Sequence, residues 1–175
     1  MKIAALALLL FSVSLLAQSA PTPAADPLKS LSFLEGTWDA KSAAGSAGAT
    51  ASGAYTFKRE LGGHILARSS SSSDCKGPAT FDCEHRDLLY VFDDVAGQPL
   101  KAIYFDNEGR VIHYEVSTPT STSAIFLSDA SRPGPQFRLV YELKDGIMSG
   151  KFQMRLPGQP DWKSYLEWSG ARVTR

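Results

Sequence analysis

Apolar and polar residues alternate in segment after segment of this chain, with turn residues between the segments, and this leaves it few folds to choose from. Along 136–144, Phe137, Leu139, Tyr141 and Leu143 share one face of an extended chain, while Arg138, Glu142 and Lys144 share the other. After Asp145-Gly146 the pattern resumes, with Met148, Phe152 and Met154 opposing Ser149, Lys151, Gln153 and Arg155. Successive side chains of a strand point to opposite faces, so this spacing builds a sheet with one apolar side. By the same rule Tyr55 and Phe57 point inward, as do Leu88, Tyr90 and Phe92, then Ile112, Tyr114 and Val116, and finally Leu166 and Trp168.

Ten strands are expected, near 36–42, 52–60, 64–72, 86–94, 99–106, 110–118, 123–129, 136–144, 147–155 and 162–169. Gly62-Gly63, Asn107-Glu108-Gly109 and Asp145-Gly146 are tight-turn signals, because glycine accepts positive φ without steric cost. Strands joined by short turns pair antiparallel. Ahead of them, Leu28, Leu31 and Leu34 fall at helical spacing and predict a helix of about two turns. One short helix cannot cover a flat sheet of this size. The expected fold is therefore all-β: a closed antiparallel up-and-down barrel of about ten strands with a short N-terminal helix, its closure removing the exposed edges. A two-sheet sandwich is the alternative arrangement.

The start of the chain bears on compartment. Lys2 precedes an apolar run from Ile3 to Leu16, interrupted only by Ser12 and Ser14, and small residues follow. The run is short for a bilayer span and reads as a secretory signal over 1–19, with cleavage after Ser19. Residues 20–27, rich in proline and alanine, read as a disordered leader, and 28–175 as the barrel domain. Without the first 19 of its 175 residues, the chain keeps 17 basic residues against 18 acidic ones. That balance lacks a basic patch, so nucleic acid is not an expected partner, and no other apolar run is long enough to cross a membrane as a helix. The expected location is exported, either periplasmic or secreted.

Export makes sense of the two cysteines. Cys75 and Cys83 flank a short stretch with Gly77 and Pro78, and an oxidising compartment favours a disulfide between them, worth roughly 2–3 kcal/mol on a chain-entropy model. Metal ligation by the pair with His85 is the competing reading, but the spacing is not a usual zinc spacing. The Asp106-Asn107-Glu108-Gly109 cluster lacks the alternating ligands of a calcium loop and reads as a turn.

The inward set Tyr55, Phe57, Tyr90, Tyr114, Tyr141, Phe152 and Trp168 makes the interior apolar and aromatic. Its tyrosine hydroxyls need partners from protein, water or ligand. A filled core and a cavity for a small apolar molecule both satisfy the pattern. Leu89 and Val91 give the strand at 86–94 apolar residues on both faces, which suits a homodimer contact or a covered sheet.

A short helix leading into FLEGTW (33–38), with Gly36 and Trp38 opening the first strand, resembles the start of the lipocalin-like, or calycin, barrels. In those families the tryptophan closes one barrel end, often against a basic residue near the last strand. The resemblance makes Arg172 the candidate partner of Trp38, and a guanidinium stacks well on an indole. Ten strands resemble the fatty-acid-binding-protein or nitrobindin-like branch more than eight-stranded lipocalins. LLYVF (88–92) and AIYFDNEGRVIHYEV (102–116) look like secreted bacterial members of the group. The resemblance implies binding of a small apolar or amphipathic molecule more than catalysis.

Haem in the nitrobindin-like branch sits on an axial histidine. The candidate here is His113, although alternation puts it on the outer face with Val111 and Glu115, and the branch's glycine-rich tyrosine-proline segment does not follow Trp38. His64 follows the Gly62-Gly63 turn, and His85 borders the cysteine loop. Asp106, Glu115, Glu142, Glu167, His113 and Tyr104 could serve an enzyme, but no spacing unites them into a catalytic constellation, so no catalytic or metal-binding residue is assigned. An interaction module of the cell envelope and a hydrolase or isomerase acting at the barrel mouth are the alternative functions.

Export is checked by the intact mass of protein recovered from its own host. The expected product lacks about nineteen residues and carries no free thiol; a full-length, reduced product would sink this reading.

Overall fold

A computed structural model describes residues 25–42, 48–79 and 81–174. The secretory signal, most of the leader and residues 43–47 between the first two strands lie outside the described residues. Ten antiparallel strands close into one barrel in up-and-down order: β1 (Gly36–Ser42), β2 (Thr50–Glu60), β3 (Ile65–Lys76), β4 (Arg86–Phe92), β5 (Leu100–Asp106), β6 (Val111–Thr120), β7 (Ser123–Ser128), β8 (Gln136–Lys144), β9 (Ile147–Arg155) and β10 (Lys163–Ala171). Each strand pairs with its neighbour in sequence, and β10 returns to β1. No helix among the described residues is long and apolar enough to cross a membrane.

The turns form as their residues dictate. Asp145 and Gly146 both take positive φ, 52° and 78°, the geometry that matches the twist of a two-residue hairpin. The helical segment is shorter and tighter than two α-turns: a 3-10 helix spans Lys29–Leu34. Leu28, Leu31 and Leu34 recur every third residue, the period of that helix, so all three point one way and are fully buried. Arg59 of β2 ties this segment down through Asp26 at 2.9 Å and Glu35 at 2.8 Å.

The leucines close one end of the barrel together with Trp38. The Trp38 indole N–H donates to the Leu34 carbonyl at 2.8 Å, and the Arg172 guanidinium lies 4.4 Å from the indole centroid. Arg172 also donates to the Glu35 carbonyl. Gly36 leaves room for that arrangement, because a Cβ there would sit 2.2 Å from the Arg172 guanidinium.

The inward faces of β2, β6, β8, β9 and β10 match the alternation, with Tyr55, Phe57, Tyr114, Tyr141 and Met148 buried. β4 is reversed. Asp87, Leu89 and Val91 point inward, while Leu88 is 42% exposed and Tyr90 packs outside against Phe105. With apolar residues on both faces, β4 carries no internal signal for its own orientation. Pairing decides it: Leu66, Arg68 and Ser70 of β3 face inward opposite Val91, Leu89 and Asp87. Tyr90 therefore does not belong to the interior set.

Trp38→Ala is expected to cost about 3–5 kcal/mol in chemical denaturation, as removal of a large buried aromatic does, and Arg172→Ala less. Equal midpoints for Trp38→Ala and the parent would remove Trp38 from the closure of the barrel.

Candidate functional site

At the end opposite Trp38 the barrel is not filled. A cavity of about 170 Å³ runs inward from the mouth. Its apolar wall comes from Leu139, Phe152, Leu166 and Trp168, with Tyr114 and Tyr55 deeper in. At the rim the Phe81 and Tyr165 rings stack 6.5 Å apart. Tyr165 reaches the mouth because the β9–β10 register shifts between Ser164 and Leu166, an irregularity that re-aims a side chain.

The facing wall is ionic. The Arg68 guanidinium donates to the Asp87 carboxylate at 2.7 Å, with both side chains over nine-tenths buried. The second Asp87 oxygen accepts from the Ser70 hydroxyl at 2.8 Å and lies 3.5 Å from His85 Nε2. His85 Nε2 is also 3.1 Å from the Tyr104 hydroxyl, which in turn donates to Asp106 at 3.3 Å. A hydroxyl that donates to Asp106 can accept from an Nε2–H, so this chain fits an imidazole protonated at Nε2. Arg110 completes the network by donating to Asp106 and Glu108.

The strand pairings and the cysteine loop build this wall. Ser70 pairs directly with Asp87, which makes Arg68 its diagonal neighbour on the same face. The disulfide joins Cys75 and Cys83, and Ser72 donates to the Cys83 carbonyl at 2.7 Å. Asn107 of the β5–β6 turn donates to Asp82 at 3.0 Å and accepts from the Arg86 N–H at 2.7 Å. Together these contacts set His85 at the mouth.

Burial pushes the Asp87 carboxyl pKa up, but the Arg68 guanidinium, then His85 and Ser70, outweigh it and hold the group below its usual value. The Asp87 hydrogen bond raises the His85 pKa above the ordinary imidazole value, against the opposing effect of burial. Tyr55 is pushed up to about 12, chiefly by burial, and stays a neutral phenol. Four buried polar atoms find no hydrogen-bond partner among the described residues: the Tyr55 and Tyr141 hydroxyls, Arg68 Nε and Trp168 Nε1. Tyr55, Arg68 and Trp168 belong to the cavity wall.

Of the residues that alternation nominated, Tyr55, Tyr114, Phe152 and Trp168 line the cavity. Phe57 and Tyr141 are buried in the packed core beside it, with ring centroids 5.4 Å apart. Tyr90 and His113 lie on the outside of the barrel. Sequence reasoning missed Arg68, Ser70 and Asp87, and placed His85 only as a residue bordering the cysteine loop. The available signal was an arginine at an inward position, between Leu66 and Ser70, which a barrel interior tolerates only with a countercharge.

Among the described residues, neither haem nor a metal finds a ready seat. His113 is exposed, the His85 Nε2 face is occupied by Tyr104 and Asp87, and a cavity of this size does not admit a macrocycle of four pyrroles. Asp82, His85 and Glu108 bring ligand atoms within 4.8 Å of one another. Arg110 already pairs with both Glu108 oxygens, however, and its charge opposes a cation there. No protein-family model matches the chain, and no curated protein matches its sequence.

The ionic wall sets the pH dependence of stability. The Asp87 pKa is lowered on folding, so its contribution is present above about pH 4 and lost as pH falls through its native value. The His85 pKa is raised, so its contribution is complete below about pH 6.5 and lost as pH rises through its native value. Urea midpoints are expected to peak in mildly acidic buffer, and His85→Gln to remove the alkaline limb while weakening the acid limb less. Asp87→Asn, which strands Arg68, is expected to cost about 3–5 kcal/mol. A parent profile without the alkaline limb would remove His85 from the network.

Proposed function

We propose that this chain is an exported binding protein that takes a small, largely apolar molecule reversibly into its barrel, like lipocalin-like barrels of the fatty-acid-binding-protein or nitrobindin-like branch. The observation that carries this reading is the open cavity of about 170 Å³, with aromatic and aliphatic side chains on one wall and polar groups on the other. Pockets that hold small molecules share this make-up: apolar walls for affinity and a few polar groups for orientation. Apolar burial contributes roughly 25 cal/mol per Å² removed from water. Rigid-body and ordering costs offset much of that, so the expected affinity is about micromolar. The disulfide supports the exported location, since such bonds persist in oxidising compartments.

A second reading, an envelope interaction module, is favoured by the outside of the barrel. Leu88, Phe105 and Val111 are cross-strand neighbours on β4, β5 and β6, and are 42%, 39% and 51% exposed. An exposed apolar patch of this kind suits a protein contact, a second copy of the chain included. Catalysis at the mouth would draw on His85 and Tyr104.

Native mass spectrometry of protein purified from its own host, followed by extraction, tests the binding reading. A co-purifying small molecule, or a rise in melting temperature with members of an apolar panel, is the expected result. No co-purifying molecule and no shift across the panel would defeat the binder. A Phe105→Glu change that dissociates an assembly would then favour the interaction module.

A further inference from the structure

We infer that the polar end of the ligand is an uncharged acceptor: the cavity is built for a ring-sized neutral carbonyl compound, neither a carboxylate nor an amine. The inference rests on the binding reading above and names the ligand class for that site.

Size bounds the body of the ligand. An engineered cavity of about 150 Å³ in another protein takes one benzene molecule, and the barrel cavity is about 170 Å³. One aromatic ring or a short branched chain fills that volume, and a long acyl chain would have to trail out past Phe81 and Tyr165. Phe152 and Leu139 present apolar surface to such a ring.

The unpaired atoms bound its polar group. Arg68 Nε and Trp168 Nε1 are donors only; Arg68 Nε has no partner among the described residues, and Trp168 Nε1 lies toward the Tyr55 hydroxyl. The Tyr55 hydroxyl, also unpaired, can donate as well. A ligand that leaves these atoms unsatisfied keeps their desolvation cost, and one that brings an acceptor oxygen removes part of it. An alkylammonium has no acceptor to offer these donors and leaves them unsatisfied.

Charge then separates a carbonyl from a carboxylate. Arg68 is neutralised by Asp87 at 2.7 Å, so it is not a free cation awaiting an anion. Around it the wall and its network hold Asp82, Asp87, Asp106 and Glu108 as anions. Against these stand Arg68, Arg110 and, when protonated, His85. The polar wall is thus net negative whether or not His85 carries a proton, and a carboxylate would enter it without a countercharge. A ketone, ester, lactone or amide oxygen accepts the same hydrogen bonds and brings no net charge.

Four probes of similar shape decide the matter: acetophenone, benzoate, benzylamine and ethylbenzene, each titrated by calorimetry into the disulfide-bonded protein at pH 8. Acetophenone is expected to bind about tenfold tighter than ethylbenzene, the scale of one or two neutral hydrogen bonds, with benzoate and benzylamine weaker than ethylbenzene. Tyr55→Phe removes one oxygen from the wall without opening the core. It is expected to weaken acetophenone several-fold, to leave ethylbenzene within twofold, and to keep or raise the melting temperature, because it deletes an unpaired buried hydroxyl. Benzoate or benzylamine as the tightest probe would overturn the inference and leave the binder standing. Equal affinity for acetophenone and ethylbenzene would do the same. Failure of all four probes to bind, with no competing molecule retained, would defeat the binding reading itself.

Discussion

Everything inside this protein depends on one seam being closed. β1 pairs with β2 over six residues, from Gly36↔Phe57 to Lys41↔Ser52, but meets β10 only at Lys41↔Ser169 and Ser42↔Trp168, with a further bridge at Trp38↔Arg172. Between those points Gly170 lies against the chain of Asp39, where a Cβ would come within 1.8 Å of the carbonyl oxygen. Side-chain stacking carries what the ladder does not. Arg172 covers the Trp38 ring, and the Val173 N–H donates to the Thr37 carbonyl at 2.8 Å. A ten-stranded sheet without this seam would expose two edges and lose the enclosure that makes its interior a site.

Closure around ten strands also creates the second constraint, an interior with more room than its side chains fill at one end. The closed end is dense: three leucines and Trp38 fill it, and above them Phe57 meets the Tyr55 and Tyr141 rings edge-on. The open end holds Arg68 and Asp87 instead. A buried ion pair is weak evidence for stability, since well-packed apolar residues often serve as well. Its place beside a cavity, with unpaired donors around it, is what the proposed binding role draws on. Asp87 turns the strongest donor in the wall into a neutral pair, and the proposed preference for uncharged acceptors rests on this pairing.

Legibility followed the face pattern. β8 and β9 were readable residue by residue, because Arg138, Glu142, Lys151 and Gln153 mark the outer face as clearly as Leu139, Tyr141 and Met148 mark the inner. β4 was not, because Leu88, Leu89, Tyr90 and Val91 are all apolar and either face could be the core. Its one informative residue was Asp87, which points inward, where a single sequence gives no reason to place a carboxylate. The countercharge comes from Arg68, nineteen residues away and two strand positions off register. His85 was hidden by similar distance. Its neighbours Tyr104, Asp106 and Glu108 reach it through the β4–β5 pairing and the β5–β6 turn.

The sequence by itself determined the class of fold, the count and order of strands, the turn at Asp145-Gly146, the pairing of Cys75 with Cys83 and a short helical segment at Leu28, Leu31 and Leu34. All of these rest on local physics: side-chain period, backbone conformational cost and the reach of a short loop. Tertiary structure alone decided which face of β4 is inside, that the interior is a cavity at one end and packed at the other, and that an ionic wall faces an aromatic one. Those outcomes depend on register between strands distant in sequence. A shift of one residue inverts every side chain of a strand, and no pattern within a single strand reports which neighbour it will meet.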